Sequence, residues 1–279
     1  MKMRTIWMAM AVVLAGGCGG GSTADSSGAA EPPAPAPAEA EPAPELAPAE
    51  PAAEPAGDPL QAAVDAPGRK AEDKARDADR KPYETMQFFG IAPGMKVAEL
   101  MTVGGYYGEL LARAVGPKGK IYLHNNKIAT EKFAEPELSK RLEQPDLAHV
   151  TKLVTELEEP GLPAGELDTV LMILFYHDTY WIKTDRKRMN AAVFAALKPG
   201  GIYGIIDHQT AKGAGAKQAE KLHRVEKDLV IKEVKAAGFV LDAESELLSR
   251  PEDDHKKNVF DKSIRGKTDQ FILRFRKPN

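Results

Sequence analysis

The chain has 279 residues and a formal net charge of −3 at pH 7, so its charge favours neither a nucleic acid nor an anionic surface as a partner. A single cysteine, Cys18, excludes a disulfide framework and a cysteine-based zinc site within the chain. The residues after about position 59 suffice for one domain with a buried core, since a domain has roughly 100–200 residues.

The first 18 residues are predicted to be a lipoprotein signal peptide. Two cations, Lys2 and Arg4, precede an apolar run over residues 6–14, which is too short to cross a bilayer because a spanning helix needs about 20 residues. Small residues and Cys18 follow, and this pattern resembles the lipobox of bacterial lipoproteins, in which the cysteine is lipidated. The resemblance implies a membrane anchor through lipid on Cys18 in the cell envelope, and Gly19 favours the outer membrane, facing the periplasm. The alternative is an ordinary signal peptide with an incidental cysteine.

Residues 19–59 are predicted to be a disordered tether. They consist mainly of Ala, Pro, Glu, Gly and Ser and show no apolar periodicity, so they hold almost nothing that could fill a core. Frequent proline favours an extended backbone, and the glutamates keep the segment solvated. A proline motif that binds a partner is the alternative to a plain spacer. The folded domain is then expected over residues 60–279.

The folded part opens with a predicted helical cover and a βαβ unit. Charges of opposite sign and then apolar residues over 69–89 predict a helix that covers an edge or face of a sheet. An apolar strand over 97–100 is followed by Gly104-Gly105, and a helix with one apolar face ends at Gly116-Pro117 before a second strand. A glycine turn after the first strand of such a unit can bind a ligand through backbone N–H groups and a helix N-terminus.

Strands and helices alternate along the rest of the chain, which is typical of a doubly wound α/β sheet. The strand before His177 is continuously apolar, as expected of a strand that is buried on both faces. Two late strands lack a long helix between them, which predicts an antiparallel strand at the end. The predicted helices are residues 133–142, 186–197 and 219–237, and the predicted strands are residues 121–123, 149–154, 167–176, 202–206, 240–248 and 270–276.

Residues 81–277 resemble the class I S-adenosylmethionine-dependent methyltransferases. The resemblance rests on residues 90–100, on Gly104-Gly105, and on Leu197-Lys198-Pro199-Gly200-Gly201 before a strand. A closer resemblance is to a bacterial group of predicted, often exported, methyltransferases, at Tyr176-His177-Asp178, Asp207-His208, Leu222-His223-Arg224 and Arg265-Gly266-Lys267-Thr268-Asp269. The family implies a Rossmann-like doubly wound α/β fold whose seven-stranded sheet has an antiparallel last strand. It also implies S-adenosyl-L-methionine as methyl donor over the C-terminal ends of the first strands.

The resemblance assigns residues to the methyl donor. Glu99, Gly104 and Gly105 would lie by its methionine part, and Asn125 by its ribose. Tyr106 either stacks on the adenine or packs in the core. The complete predicted donor site is Glu99, Thr102, Gly104, Gly105, Tyr106, Asn125 and Glu156.

Two departures from the family pattern concern the same site. Met101 and Val103 stand where the family has glycine, and bulk at these positions limits the approach of the backbone to a ligand. At the end of the second strand the family generally has Asp or Glu to hold the ribose hydroxyls. Asn125 stands there, and its amide can hydrogen-bond a diol without the help of a charge.

A second group of polar residues ends two strands that are predicted to be central. His177 with Asp178, and Asp207 with His208, lie at the C-terminal ends of these strands, where open α/β sheets bind ligands. Histidine is the side chain best suited to proton transfer near neutral pH. We therefore predict a catalytic site of His177, Asp178, Asp207 and His208, in which His177 or Asp207 takes a proton from the methyl acceptor. The alternative is that these side chains cap strand ends and bind loop backbone.

Three functions are compatible with the sequence. The first is methyl transfer from S-adenosyl-L-methionine to an unidentified small molecule. The second is a non-catalytic ligand-binding or scaffold lipoprotein that retains the fold, because the glycine motif is altered and the donor is made in the cytoplasm. The third is a metal-dependent hydrolase, since the same residues with His223 and His255 could bind a metal, but no H-E-x-x-H spacing supports it and no metal is expected. Neither the acceptor nor the oligomeric state follows from the sequence.

Overall fold

Seven strands form one mixed sheet in the computed structural model, which describes residues 57–279. The strands are β1 (Lys96–Leu100), β2 (Lys120–Asn125), β3 (Val150–Val154), β4 (Leu167–Ile173), β5 (Leu197–His208), β6 (Val240–Ser245) and β7 (Gln270–Arg276). They lie in the order β3-β2-β1-β4-β5-β7-β6, with β1 to β5 parallel and β7 antiparallel to both of its neighbours. The predicted doubly wound sheet with an antiparallel last strand is confirmed. The predicted signal peptide and nearly all of the predicted tether lie outside the described residues.

Helices lie on both faces of this sheet. They are α1 (Pro59–Asp65), α2 (Ala71–Lys74), α3 (Asp77–Arg80), α4 (Pro82–Phe88), α5 (Tyr106–Val115), α6 (Lys127–Ala129), α7 (Glu137–Arg141), α8 (Asp178–Trp181), α9 (Arg186–Ala196), α10 (Ala219–Leu222) and α11 (Lys227–Ala236). One apolar core contains Leu60 of α1, Met86 of α4 and Leu110 of α5, and the other contains Met189 of α9 and Val230 of α11. None of the helices within residues 57–279 is long and apolar enough to cross a membrane.

The N-terminal helical cover is present, but the single charged helix predicted at its start is wrong. The chain forms the two short helices α2 and α3 instead, because several charged side chains turn inward. Arg69 is 5% exposed and donates hydrogen bonds to both carboxylate oxygens of Asp77, at 2.7 and 2.8 Å. Asp73 is 3% exposed and pairs with Arg141 at 2.7 Å. These tertiary ion pairs replace the solvated helix face that the sequence suggested.

The long helix predicted over 219–237 is interrupted between α10 and α11. Val225 pairs with Gln209, which follows β5, and this pairing holds the chain extended at a point where a helix would have continued. His223 ends α10 with φ at +55°, the left-handed region that L-residues rarely adopt. The interruption brings His223 to the C-terminal edge of the sheet.

Two further boundaries differ from the prediction. The helix predicted over 133–142 is split into a π-helical turn, Thr130–Ala134, and α7, because Glu135 precedes a proline and is extended, as residues before proline tend to be. The strand predicted as far as residue 176 ends at Ile173, since Leu174 has φ at +56°. The residues that follow β4 therefore leave the sheet and turn across its C-terminal edge.

Candidate active site

The turn between β1 and α5 has an unusual backbone. Met101, Val103 and Gly105 have φ values of +54°, +50° and +79°, and glycine is the residue that enters this left-handed region without steric cost. These are the three positions at which the family pattern has glycine. The backbone therefore keeps a conformation that favours glycine, although Met101 and Val103 depart from the pattern.

Asn125, at the end of β2, holds this turn. Its Oδ1 accepts a hydrogen bond from the backbone N–H of Val103 at 2.8 Å, and its Nδ2 donates to the Val103 carbonyl at 3.2 Å. Asn125 is 2% exposed. An asparagine amide has one oxygen and one NH₂ group, and here both are bound to the backbone of one residue. The sequence pattern gave no sign of this contact.

Glu99 lies beside the turn in a buried position. It is 4% exposed and accepts a hydrogen bond from the hydroxyl of Thr102 at 2.5 Å. Burial disfavours the charged form and raises the pKa of Glu99 to about 7, while the hydrogen bond from Thr102 acts in the opposite direction. Two of the predicted donor residues are therefore in contact, and the Glu99 carboxyl changes its protonation near neutral pH.

The two glycines of the turn have different surroundings. A Cβ atom on Gly105 would lie 2.7 Å from the Leu138 side chain of α7, and its φ of +79° is one that glycine adopts without steric cost. A Cβ atom on Gly104 would meet only the side chain of Glu137, at 3.9 Å. The Gly104 carbonyl accepts a hydrogen bond from Arg141 Nε at 2.9 Å. Gly104 is thus the glycine that has free space beside its Cα atom.

Tyr106 and Glu156 are less closely tied to the turn. The Tyr106 hydroxyl donates to Asp77 at 2.6 Å, and the guanidinium groups of Arg76 and Arg80 lie 4.7 and 4.6 Å from its ring centre. The ring therefore packs in the N-terminal cover, which is the packing alternative and not adenine stacking. Glu156 is exposed in the loop after β3.

Asp207, at the end of β5, fixes His177 in place. Asp207 is fully buried, and its Oδ2 accepts a hydrogen bond from the backbone N–H of His177 at 2.7 Å. Its Oδ1 lies 2.6 Å from His177 Nδ1 and accepts the backbone N–H of His208 at 2.7 Å. The ends of β4 and β5 are thus joined by one carboxylate, which bonds to backbone and to an imidazole. The contacts with backbone N–H groups are those of the capping alternative, and the contact with His177 is the one that the predicted site requires.

His177, Asp178 and His223 form what we call the His/Asp cluster. His177 Nε2 lies 3.0 Å from Asp178 Oδ1 and 3.3 Å from His223 Nδ1, and His223 Nδ1 lies 3.0 Å from the same Asp178 oxygen. Trp181 Nε1 donates a hydrogen bond to that oxygen at 2.7 Å. The side chain of His177 is 3% exposed, whereas those of Asp178 and His223 are 16% and 20% exposed. A ligand can therefore reach the cluster from the side of Asp178 and His223.

Charge is unevenly distributed in this cluster. Burial alone would lower the pKa of His177, but the carboxylates of Asp207 and Asp178 outweigh burial and raise the pKa to about 10. Burial likewise acts to raise the pKa of Asp178, but hydrogen bonds from His177 and His223 lower it overall. In the absence of any other cation, the cluster holds an imidazolium and a carboxylate at neutral pH.

His208 and His255 lie outside the His/Asp cluster. His208 is 9% exposed, its Nδ1 is hydrogen-bonded to the Thr268 hydroxyl at 2.8 Å, and burial lowers its pKa well below the usual value. His208 is therefore a neutral, packed neighbour whose ring centre lies 5.9 Å from that of His177. His255 pairs with Asp269 at 3.0 Å, before β7.

Two members of the site are only weakly indicated by sequence patterns. His223 reaches the cluster because α10 ends there, and the only signal for it was the match at Leu222-His223-Arg224. Trp181 lies one helical turn after Asp178 in α8, a spacing at which side chains interact. That spacing could have indicated the contact, but it does not by itself identify a functional residue.

Comparison with known proteins identifies the fold. No family profile and no curated protein matches the chain. An S-adenosylmethionine-dependent methyltransferase from Aquifex aeolicus superimposes with a TM-score of 0.55 at 18% sequence identity, over 74% of this chain and 95% of that chain. A geranyl diphosphate C-methyltransferase from Streptomyces coelicolor A3(2), in complex with Mg²⁺, geranyl diphosphate and S-adenosyl-L-homocysteine, has a TM-score of 0.54 at 13% identity, over 78% of this chain and 87% of that chain.

A third similar structure carries a different name. The [4+2]-cyclase SpnF superimposes with a TM-score of 0.50 at 15% identity, over 79% of this chain and 92% of that chain. At such identities structural likeness establishes architecture, and an architecture can serve unrelated reactions. The chain therefore has the fold of the class I S-adenosylmethionine-dependent methyltransferases.

Proposed function

We propose that this protein transfers a methyl group from S-adenosyl-L-methionine to a small-molecule acceptor at the C-terminal edge of the sheet. The observation that carries the proposal is the turn over residues 101–105, whose backbone adopts left-handed conformations at all three glycine positions of the family pattern. The turn precedes the N-terminus of α5, which has no side-chain cap, and backbone N–H groups at a helix N-terminus can bind a ligand.

The local structure fits the methyl donor at the turn. Gly104 has free space beside its Cα atom, and Glu99 with Thr102 provides a buried carboxyl and hydroxyl pair next to it. These three residues would hold the methionine part of the donor. At the end of β2, His124 Nδ1 is buried without a hydrogen-bond partner, as is Thr155 Oγ1 in the loop after β3. The amide of Asn125 is already bound to Val103. His124 Nδ1 and Thr155 Oγ1 would therefore be the polar atoms available to the other end of the donor.

When it is bound, the donor supplies an activated methyl group, and the chain contributes position and proton handling. Asp207 is fully buried, so an acceptor does not reach it. The nearby carboxylates raise the pKa of His177 to about 10 against the effect of burial, so His177 does not readily take up the acceptor's proton at neutral pH. Asp178 and His223 are the members of the cluster that an acceptor can reach. We assign orientation of the acceptor to Asp178 and His223, with His177 and Asp207 as positioning residues.

The second candidate function is a ligand-binding or scaffold lipoprotein that no longer uses the donor. Two observations favour it. Asn125 binds the Val103 backbone with both ends of its amide. Met101 is 3% exposed and belongs to the same apolar core as Ala129 and Leu157, which follow β2 and β3. In this case the altered turn would have become a structural element.

Calorimetric titration of the full chain with S-adenosyl-L-methionine separates the two candidates. Methyl transfer requires that the chain binds the donor. Gly104→Ala should weaken donor binding roughly tenfold, because it places a methyl group where the donor approaches the backbone. The change itself is sterically mild, because the new Cβ would meet only Glu137 at 3.9 Å. Gly57→Ala, in open space, is the matched control. Absence of heat at millimolar donor would favour the scaffold function. Equal affinity in all three proteins would mean that the donor does not bind beside Gly104.

We also propose that the protein is an exported lipoprotein, anchored through lipid on Cys18 at the outer membrane and facing the periplasm. The support is the sequence of residues 1–18 together with the resemblance to often exported methyltransferases. Cys18→Ser should abolish metabolic labelling with palmitate and move the protein from the membrane to the soluble fraction. A labelled or membrane-bound Cys18→Ser chain would exclude this anchor.

A further inference from the structure

Three potential metal ligands meet at the accessible side of the sheet edge. The facing atoms of the His/Asp cluster are His177 Nε2, Asp178 Oδ1 and His223 Nδ1, and they are separated by 3.0, 3.0 and 3.3 Å. Within residues 57–279 this is the one group of three or more such side chains whose ligand atoms lie so close together. We propose that the cluster binds one divalent first-row transition-metal cation, the class of ion that two imidazoles and a carboxylate select.

The three distances suit such an ion. The atoms lie on a circle of about 1.8 Å radius, so a point about 2.1 Å from each of them exists about 1 Å above their plane, and 2.1 Å is roughly the length of a zinc–imidazole or zinc–carboxylate bond. Ligands at that bond length around a tetrahedral or octahedral ion are separated by about 3.0–3.4 Å. Three ligands on one side leave the remaining coordination positions open to solvent or to a small ligand.

The surroundings prepare the ligand atoms. Metal-bound histidines usually donate their second N–H to a carboxylate, which fixes the ring and its tautomer. His177 Nδ1 has this partner in Asp207, at 2.6 Å, so that Nε2 is directed toward Asp178 and His223. The same carboxylate binds the backbone N–H of His177 at 2.7 Å. Trp181 donates to Asp178 Oδ1 and thereby orients the carboxylate.

His223 reaches the cluster through a backbone conformation that is unfavourable for a histidine. Its φ of +55° lies in the left-handed region, which L-residues rarely adopt, and such conformations concentrate at functional sites. Two partly exposed aromatic side chains, Trp181 and Phe260, have ring centres 6.4 and 4.9 Å from that of His223. The cation would therefore lie in an accessible site with an aromatic rim.

The competing explanation of these contacts is a hydrogen-bonded cluster in which protons on both imidazoles face Asp178. Only a metal site takes up one cation per chain and produces ligand-field absorption when the cation is Co²⁺. The inference does not depend on the methyl donor, because metal binding is measured without it. If the chain binds metal but no donor, the proposed methyl transfer is refuted and the proposed metal site is not.

The experiment is equilibrium dialysis of the full chain against Co²⁺ and Zn²⁺, with visible absorption of the Co²⁺ form. His223→Gly removes one ligand at a position with left-handed φ, where glycine is the best-tolerated residue, so this variant is expected to fold. His255→Gly is the matched control, because His255 also has a positive φ, +58°, and also pairs with a carboxylate at 3.0 Å. Mg²⁺, which prefers oxygen ligands, serves as the control cation.

We expect one Co²⁺ or Zn²⁺ per wild-type chain, no stoichiometric Mg²⁺, and a Kd that rises by about 100-fold or more in His223→Gly and is unchanged in His255→Gly. Asp178→Ala should reproduce the effect of His223→Gly. The proposal is overturned if the wild-type chain takes up no cation, if His223→Gly retains it, or if both histidine variants lose it equally.

Discussion

Val103 is the residue in the turn after β1 whose side chain suits its backbone least. A β-branched residue at φ +50° is strained, because the left-handed region costs an L-residue roughly 1–2 kcal/mol. Glycine removes this strain but loses roughly 0.5–1 kcal/mol more conformational entropy on folding. We therefore expect Val103→Gly to raise the free energy of unfolding by about 1 kcal/mol, measured by urea denaturation.

The control for this prediction is the same substitution in a strand. Val154 is 51% exposed in β3, and glycine weakens a strand. Val154→Gly should lower the free energy of unfolding by about 1 kcal/mol. A similar loss in both variants would mean that the hydrogen bonds from Asn125 make the Val103 backbone favourable for valine.

Glu99 makes the stability of the domain depend on pH. Burial raises the pKa of this carboxyl from 4.5 to about 7, so the folded chain holds the proton more tightly than the unfolded chain. Stability linked to Glu99 is fully present below pH 4.5 and is lost as the pH rises through about 7. Glu99→Gln keeps an acceptor oxygen for Thr102 without a charge. We expect the free energy of unfolding of this variant to rise, relative to that of the wild-type chain, by on the order of 2 kcal/mol between about pH 5 and pH 8.

This gain is measured by chemical denaturation at a series of pH values. Glu252→Gln, at an exposed position, is the control and should leave the pH dependence of the wild-type chain unchanged. If the stability curves of Glu99→Gln and the wild-type chain run parallel across the range, Glu99 does not carry the proposed proton linkage.

Three helices meet through one buried guanidinium. Arg141 of α7 is 5% exposed and pairs with Asp73 of α2 and Glu109 of α5, and it donates to the carbonyl of Gly104. Without Arg141, each of these buried carboxylates keeps a single cationic partner, Arg76 for Asp73 and Arg113 for Glu109, so part of its charge is uncompensated in a low-dielectric environment. Arg141→Met should therefore lower the free energy of unfolding by about 3–5 kcal/mol.

A second variant shows whether this loss arises from unpaired charge. Combining Arg141→Met with Asp73→Asn and Glu109→Gln removes these three charges together and should recover part of the stability. Arg113 then loses Glu109 but keeps Asp146. Lys127→Met, in an exposed pair with Glu131 at 3.9 Å, should change it by less than about 0.5 kcal/mol. Equal losses in the single and triple variants would assign the effect to packing of the Arg141 stem.

The elements that local pattern could predict are those whose environment is set by the sheet. The apolar run of β4 is buried on both faces, as its composition indicated, and the βαβ unit from β1 to β2 follows its glycine and proline signals. The cover could not be predicted as α2 and α3, because the burial of Arg69 and Asp73 depends on partners far along the chain. A local sequence pattern does not show which charged side chains are buried.

The same limit applies to the candidate site. His177 and Asp207 are expected at the same edge because parallel strands end there, and the structure brings them into contact. His223 joins them only because the chain at Val225 pairs beside Gln209 and interrupts a helix. Asn125 occupies the expected position at the end of β2, but its amide binds the turn, a choice that depends on atomic distances and not on residue type.

Residues 57–88 complete the core on one face of the sheet. Leu60 and Ala63 of α1 are 7% and 2% exposed and belong to the core that contains α5. Arg69 donates to the Val64 carbonyl and to Asp77, whose Oδ1 also accepts the Tyr106 hydroxyl. The described fold begins with α1. The side chain of Asp58 caps this helix by accepting a hydrogen bond from the backbone N–H of Leu60. The cover is thus part of the same core as the sheet.

We therefore expect the domain to tolerate removal of residues 1–56 but not of residues 1–81. A chain that starts at residue 57 keeps α1 and the buried pairs of Arg69, and its Tm should equal that of the full chain. A chain that starts at residue 82 loses the burial of Leu60, worth roughly 1.5–3 kcal/mol, as well as the partners of Arg141 and Tyr106. The expected decrease in its free energy of unfolding, on the order of 5 kcal/mol, is comparable to the whole stability of a small domain. Thermal unfolding followed by circular dichroism tests this prediction. Equal Tm values for the two shortened chains would mean that the cover is a separate unit. A Tm of the chain from residue 57 below that of the full chain would mean that the tether has a structural role.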